Sequence, residues 1–175
     1  MIQLFTELQE KKNVRSNLSA LRASLKEATE EQKAQAIEFV RGHEDLVFGF
    51  LQEEDAKTRK NAALLLGDLA VQNALQPLWK AYTREQTLFV KSAYLEAMKA
   101  LHAEEILSQL KDRLAELEGE PVTEENRKHR EAELRALRAI LIQYEGIDTH
   151  HFDIKQKNNH VLLVTCLLYT SDAAD

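Results

Sequence analysis

The strongest constraint on this chain is that it matches itself when displaced by 32 residues. The shift lays Leu46 on Leu78 and Leu110, and Phe50 on Tyr82 and Leu114. It also lays Arg59 on Lys91, Ala62 on Tyr94, Leu66 on Met98 and Leu69 on Leu101. The matched apolar residues recur at the three- and four-residue spacing of one helix face. A period of roughly 20–50 residues marks repeat architectures, in which a unit too small to bury its own apolar face stacks on its neighbours. Near the end of the series the shift becomes 39, with Lys91 on Arg130, Leu95 on Leu134, Met98 on Leu137 and Leu101 on Ile140. The added residues fall in GEPVT at 119–123, where glycine and proline signal a loop.

Capping patterns locate the helix starts independently of the repeat. Thr29 with Gln32 has capping-box spacing, Asp55 precedes an apolar-periodic run, and Thr123 precedes two glutamates that suit a helix N-terminus. These signals predict helix pairs at about 16–28 with 30–42, 44–53 with 55–71, 74–82 with 87–101, and 103–118 with 124–144. A further helix near residues 1–12 caps the array, and Gly146 suits a helix C′ position. The core is expected at Leu66, Leu69, Met98 and Leu101.

Composition agrees with one helical repeat domain, because 175 residues that are 44% hydrophobic contain only five glycines and two prolines. The 29 acidic and 23 basic side chains are spread along the chain and give a net charge of −6, which disfavours a dedicated nucleic-acid or anionic-membrane surface. The opening MIQLFTELQEKK lacks a signal-peptide pattern, and no stretch approaches the roughly 20 apolar residues of a membrane span, so a cytoplasmic location is expected.

The segment DAKTRKNAALLLGDL at 55–69 resembles the second helix of HEAT-like (PBS lyase/HEAT-type) repeats. In that resemblance the family's turn aspartate falls on Asp55, its arginine on Arg59, its small residues on Ala62 and Ala63, and its Leu-Gly pair on Leu66 and Gly67. The next repeat departs from the pattern, with Thr87, Lys91 and Lys99 in place of the aspartate, the arginine and the glycine. The resemblance covers 44–101 most closely and 16–144 more loosely. It implies an all-α fold, a HEAT-like α-solenoid of about four helix pairs over 1–146, whose second helices line a concave partner-binding face.

In that register the outward positions are Lys60, Ser92 and Glu131 in one row, Leu64, Glu96 and Arg135 in another, and Gly67, Lys99 and Arg138 in a third. Partner contacts are accordingly expected from Lys60, Leu64, Glu96, Lys99, Arg135 and Arg138. Their mixed signs suit a protein or peptide better than a phosphate backbone, which calls for a consistent basic stripe. The expected function is therefore a non-catalytic interaction scaffold, with no catalytic residue, cofactor or metal assigned.

Several chemistry-bearing residues have simpler structural readings. Arg59 follows Asp55 by four residues, the spacing of a helix-start ion pair that also reaches the next repeat. Trp79 is the only tryptophan, and with Leu75, Leu78 and Tyr82 around it inter-repeat packing is expected. HEAT-like glycosylases that bind alkylated bases pair such an aromatic with a catalytic aspartate beside a basic groove, and the concave-face positions do not supply that set. His43-Glu44 is similar to the His-Glu pairs of HEAT-like di-iron hydroxylases, but those use several symmetric pairs, whereas His102 precedes Ala103 and His129 precedes Arg130. His150, His151 and Asp153 are ordinary ligand types, and a solvated linker is the expected reading.

Residues 147–165 change character, with an Asn-Asn turn signal before the apolar run at 161–164, which predicts a β-hairpin or the start of a truncated β-containing domain. The run HVLLVT at 160–165 faintly resembles the opening strand of the RNA-binding domain that precedes the catalytic part of some S-adenosylmethionine-dependent RNA methyltransferases. The alternative function is thus the N-terminal accessory region of a larger cytoplasmic enzyme. Residues 166–175, CLLYTSDAAD, resemble residue for residue a translated transposase-type sequencing adapter. They are read as non-native and include the only cysteine. Setting Asp172 and Asp175 aside changes the formal charge from −6 to −4.

Overall fold

The computed structural model describes residues 1–145, and within them every regular element is helical. The α-helices are α1 (Ile2–Gln9), α2 (Val14–Leu25), α3 (Glu30–Gly42), α4 (Glu44–Gly49), α5 (Ala56–Asp68), α6 (Leu75–Arg84), α7 (Leu88–Ala100), α8 (Leu107–Gly119) and α9 (Arg127–Glu145). Short 3-10 turns at Phe50–Gln52, Gln72–Ala74 and Ala103–Ile106 extend α4 and lead into α6 and α8. The expectations for residues 146–175, including the hairpin, the His150-His151-Asp153 group and the adapter-like tail, lie outside the described residues.

The caps form where the sequence places them. Thr29 Oγ1 accepts from the Gln32 N–H while Gln32 Oε1 accepts from the Thr29 N–H, a complete capping box on α3. Asp55 Oδ2 accepts from both the N–H and the hydroxyl of Thr58 at 2.8 Å, closing the start of α5. Thr123 and Asn126 make the reciprocal pair ahead of α9, so asparagine takes the role usually given to glutamate or glutamine. The end of α5 is a Schellman motif: Val71 N–H reaches the Leu66 carbonyl and Ala70 N–H the Gly67 carbonyl, both at 3.0 Å. Its left-handed residue is Ala70, with φ 50°, a conformation that glycine adopts at lower cost.

Packing arranges α2, α5, α7 and α9 in a row in which each touches the next. Helix α1 packs on α2, α6 on α7 and α8 on α9, while α4 reaches α5 through the Phe50–Gln52 turn. Helix α6 also meets the turn Phe50–Gln52 on one side and the turn Ala103–Ile106 on the other, which links neighbouring pairs. The apolar stripes close on one continuous core that contains Leu66, Leu69, Met98 and Leu101, all the expected core positions. Each such side chain contributes about 1.5–3 kcal/mol when fully withdrawn from water.

Three of the expected pairs are present, and the first one is rearranged. Helix α2 packs on α1 and α5, so it takes the place in the row that the register assigned to α3. Helix α3 turns its buried Ala36, Phe39 and Val40 elsewhere, and Phe39 stacks on Phe5 of α1 with ring centroids 4.3 Å apart. The physical reason is that both helices carry an apolar stripe, and periodicity alone does not say which neighbour covers it.

Two arginines that the 32- and 39-residue shifts relate through Lys91 make the same kind of contact. Arg59 Nη1 donates to the carbonyls of Glu53 and Glu54, each at 2.8 Å. Arg130 donates to the carbonyls of Leu117 and Glu118 at 2.7 and 3.1 Å. Both arginines therefore satisfy carbonyls that the end of the preceding helix leaves without intrahelical donors. Lys91 stands between them in the register and goes instead to Glu133.

Candidate functional site on the helix row

The row α2, α5, α7, α9 presents the positions expected to meet a partner. Glu96 and Lys99 on α7 and Arg135 on α9 are exposed, and Lys60 on α5 is half-buried. Ser92 is half-buried and donates to the Leu88 carbonyl at 3.1 Å, whereas Glu131 is exposed.

Three of the outward assignments are corrected by the packing. Leu64 is only 7% exposed, because α5 is covered on two sides by α2 and α7 and a leucine there is drawn into the contact. Gly67 is buried at the α5–α7 crossing, where a Cβ would stand 2.9 Å from Ala97 Cα. Arg138 is also 7% exposed, with Nη2 on Glu118 Oε1 of α8 at 3.1 Å, so it serves the α8–α9 contact. What stays available from the expected set is Lys60, Glu96, Lys99 and Arg135, still mixed in sign.

Two charge networks hold this row to its backing helices. In the first, Arg59 grips Glu85 in a two-pronged pair at 2.7 and 3.0 Å. Glu85 Oε1 also accepts from the N–H groups of Gln86 and Thr87, which closes the start of α7. Burial pushes the Glu85 carboxyl up, but the Arg59 guanidinium and the Thr87 N–H hold it below the usual carboxylate range. Asp55 is thus left to cap α5, and Arg59 reaches the next helix pair in place of an intrahelical ion pair. Above this pair, the buried Tyr94 hydroxyl donates to the Leu51 carbonyl at 3.1 Å, and burial together with the nearby Glu85 charge pushes its pKa up to about 12.

The second network centres on Glu133 of α9, which is 6% exposed. It accepts from the Tyr82 hydroxyl, from Arg113 Nε at 3.1 Å and from Lys91 Nζ at 3.3 Å. Lys91 also stands 5.3 Å from the centroid of the Tyr82 ring, a cation–π placement. Burial raises the Glu133 carboxyl, yet the Tyr82 and Arg113 hydrogen bonds and the Lys91 charge keep it below its ordinary value. Burial and the same carboxylate push the Tyr82 phenol upward. One sequence signal pointed here: Glu133 lies four and seven residues before Leu137 and Ile140, in the apolar stripe of α9.

The remaining residues with chemical interest are committed locally. His43 Nδ1 donates to the Phe39 carbonyl at 2.8 Å and Nε2 accepts from Gln9 at 2.6 Å, while Glu44 accepts from Asn73. Both ring nitrogens and the adjacent carboxylate therefore have partners. Among the described residues no group of three or more His, Cys, Asp or Glu is placed to hold a metal ion. Trp79 is tilted on Tyr82 with centroids 5.3 Å apart and borders an open groove of 880 Å³ between the Phe50–Gln52 turn and α6. The same groove is lined by Pro77, Arg59 and Tyr94, so Trp79 packs within its own helix and faces the junction of two pairs.

A smaller notch of 450 Å³ crosses the row at the first turns of α2, α5 and α7. It is lined by Arg15 and Ser19 of α2, Lys57, Lys60 and Asn61 of α5, and Phe89 of α7. Arg15 and Lys57 are exposed, and Phe89 is 46% exposed, the largest aromatic exposure in the described part of the chain. No helix among the described residues is long and apolar enough to cross a membrane. Comparison with protein-family models, with curated proteins and with solved structures gave no match to this chain.

Proposed function

We propose that this chain is a HEAT-type α-solenoid that works as a non-catalytic interaction scaffold, with a protein or peptide partner docking on the inner helix row. The observation that carries the reading is the exposure of Glu96 and Arg135 at equivalent positions of the register, with Lys99 exposed one turn along from Glu96, on helices that bury their other faces. Mixed charges of this kind favour a partner with its own mixed pattern and select orientation more than raw affinity. The intracellular setting expected from the sequence belongs to the same proposal.

The experiment places a photo-crosslinking residue in turn at Glu96, Lys99 and Arg135, with Glu104 and Asp112 on the backing side as controls. Partner crosslinks should form from the first set and not from the second. Equal yields from both sets would remove the inner row as the docking surface. The second reading, an accessory region of a larger RNA-methylating enzyme, rests on the strand-like run at 160–165. Sequencing the gene beyond the codon for Thr165 separates it from the scaffold. A long α/β continuation with a glycine-rich cofactor loop supports the enzyme, and an immediate stop removes it.

A further inference from the structure

The notch at the first turns of α2, α5 and α7 differs from the rest of the row in charge and in apolar exposure. Arg15, Lys57 and Lys60 converge there from two helices, and among the described residues none of the three forms an ion pair. The carboxylate facing them is Asp55, whose Oδ2 is already occupied by the N–H and hydroxyl of Thr58. The hydrogen bonds from Thr58, aided by the charges of Arg15 and Lys57, hold the Asp55 carboxyl below its ordinary value. Local positive charge is therefore left over on a chain whose net charge is −6. Three side-chain cations beside a single carboxylate leave the notch net positive, which favours an anionic ligand there.

Phe89, the Ser19 hydroxyl and the Asn61 amide line the same notch as the cations. Cations, hydrogen-bonding groups and an exposed ring around one notch suit a ligand with carboxylates beside an apolar side chain. Resting on the reading of the row as a docking surface, we infer that this notch is the anchor point for an acidic peptide segment carrying an aromatic or aliphatic residue. The carboxylates face Arg15, Lys57 and Lys60, and the apolar side chain covers Phe89. Buried aromatic contacts and fully paired arginines are the usual anchors of such interfaces. Nucleic acid fits less well, because the exposed face beyond the notch continues through Glu96 and Glu131 and breaks the basic stripe that a phosphate backbone requires.

The probe is a fluorescein-labelled peptide of glutamates around a central phenylalanine, titrated with the full chain by fluorescence anisotropy. A second peptide has serine in place of the phenylalanine, and a single-stranded RNA oligonucleotide of equal charge serves as competitor. Lys57→Glu with Lys60→Glu should weaken the phenylalanine peptide by about 10-fold or more, roughly the loss of one or two close charge contacts. Phe89→Ala should weaken the phenylalanine peptide several-fold, by about one aromatic contact, and leave the serine peptide unchanged. Circular dichroism should show all variants folded, since the altered side chains lie at the surface. Peptide binding that ignores these substitutions overturns the proposal, as does absence of binding or tighter binding of the RNA. Lys99→Glu with Arg135→Glu tells the two levels apart. If that variant loses the peptide and the notch variants keep it, the row stands as a docking surface and the notch falls.

Discussion

Gly67 on α5 and Ala97 on α7 meet so closely that a Cβ at Gly67 would lie 2.9 Å from the Ala97 Cα and 3.2 Å from its Cβ. The obstacle is backbone, which has no rotamer to escape into, so Gly67→Ala must push the two helices apart. We expect it to cost about 1–3 kcal/mol, the usual penalty for overpacking. Gly49→Ala is the control, because nothing lies within 4 Å of its added methyl. It should be neutral or stabilise by up to about 1 kcal/mol through reduced unfolded-state entropy. Urea unfolding of both variants checks this, and an equal response would mean that the α5–α7 contact is looser than described.

The left-handed Ala70 leads to the opposite kind of change. Its φ of 50° closes the Schellman motif at the end of α5, and an L-residue holds that conformation at a cost of roughly 1–2 kcal/mol. Ala70→Gly should raise stability by about 0.5–1 kcal/mol, since glycine relieves the strain but has more unfolded-state freedom to lose. A lower melting temperature for this variant would show that the motif is not strained.

Core and surface separate cleanly on α5. Leu66 is fully buried, so Leu66→Ala should cost roughly 2–5 kcal/mol, whereas Lys60→Ala should change stability by about 0.5 kcal/mol or less. Chemical denaturation measures both, and comparable losses would place Lys60 in the core.

Glu133 links folding to pH. Its carboxyl titrates lower in the fold than in the unfolded chain, where glutamate has a pKa of about 4.3. Its contribution to stability is therefore fully present above about pH 5 and is lost as the pH falls through the lower folded value. At neutral pH Glu133→Gln should cost about 1–3 kcal/mol, because Lys91 and Arg113 lose their shared carboxylate. The difference between wild type and variant should shrink on acidification. Urea midpoints for both from pH 7 to pH 3 test this, and a gap that stays constant would mean that Glu133 is not charged in the fold.

What the sequence determined by itself is local: the helix starts capped by Thr29 with Gln32 and by Asp55, and the apolar stripe through Leu66, Met98 and Leu101. These follow from hydrogen bonds within one turn and from a 3.6-residue period, both properties of a short stretch of chain. Only the tertiary structure decided that α2 rather than α3 lies beside α5, and that Leu64, Gly67 and Arg138 are enclosed instead of outward. The same holds for the carboxylates that complete Arg59 and Lys91, Glu85 and Glu133, which lie 26 and 42 residues further along the chain. A stripe records that a face must be covered, and the helix that covers it is chosen by the combined packing of all neighbours. Buried charge depends on that choice in turn, because a carboxylate such as Glu133 is stable inside only where packing brings Tyr82, Lys91 and Arg113 to it.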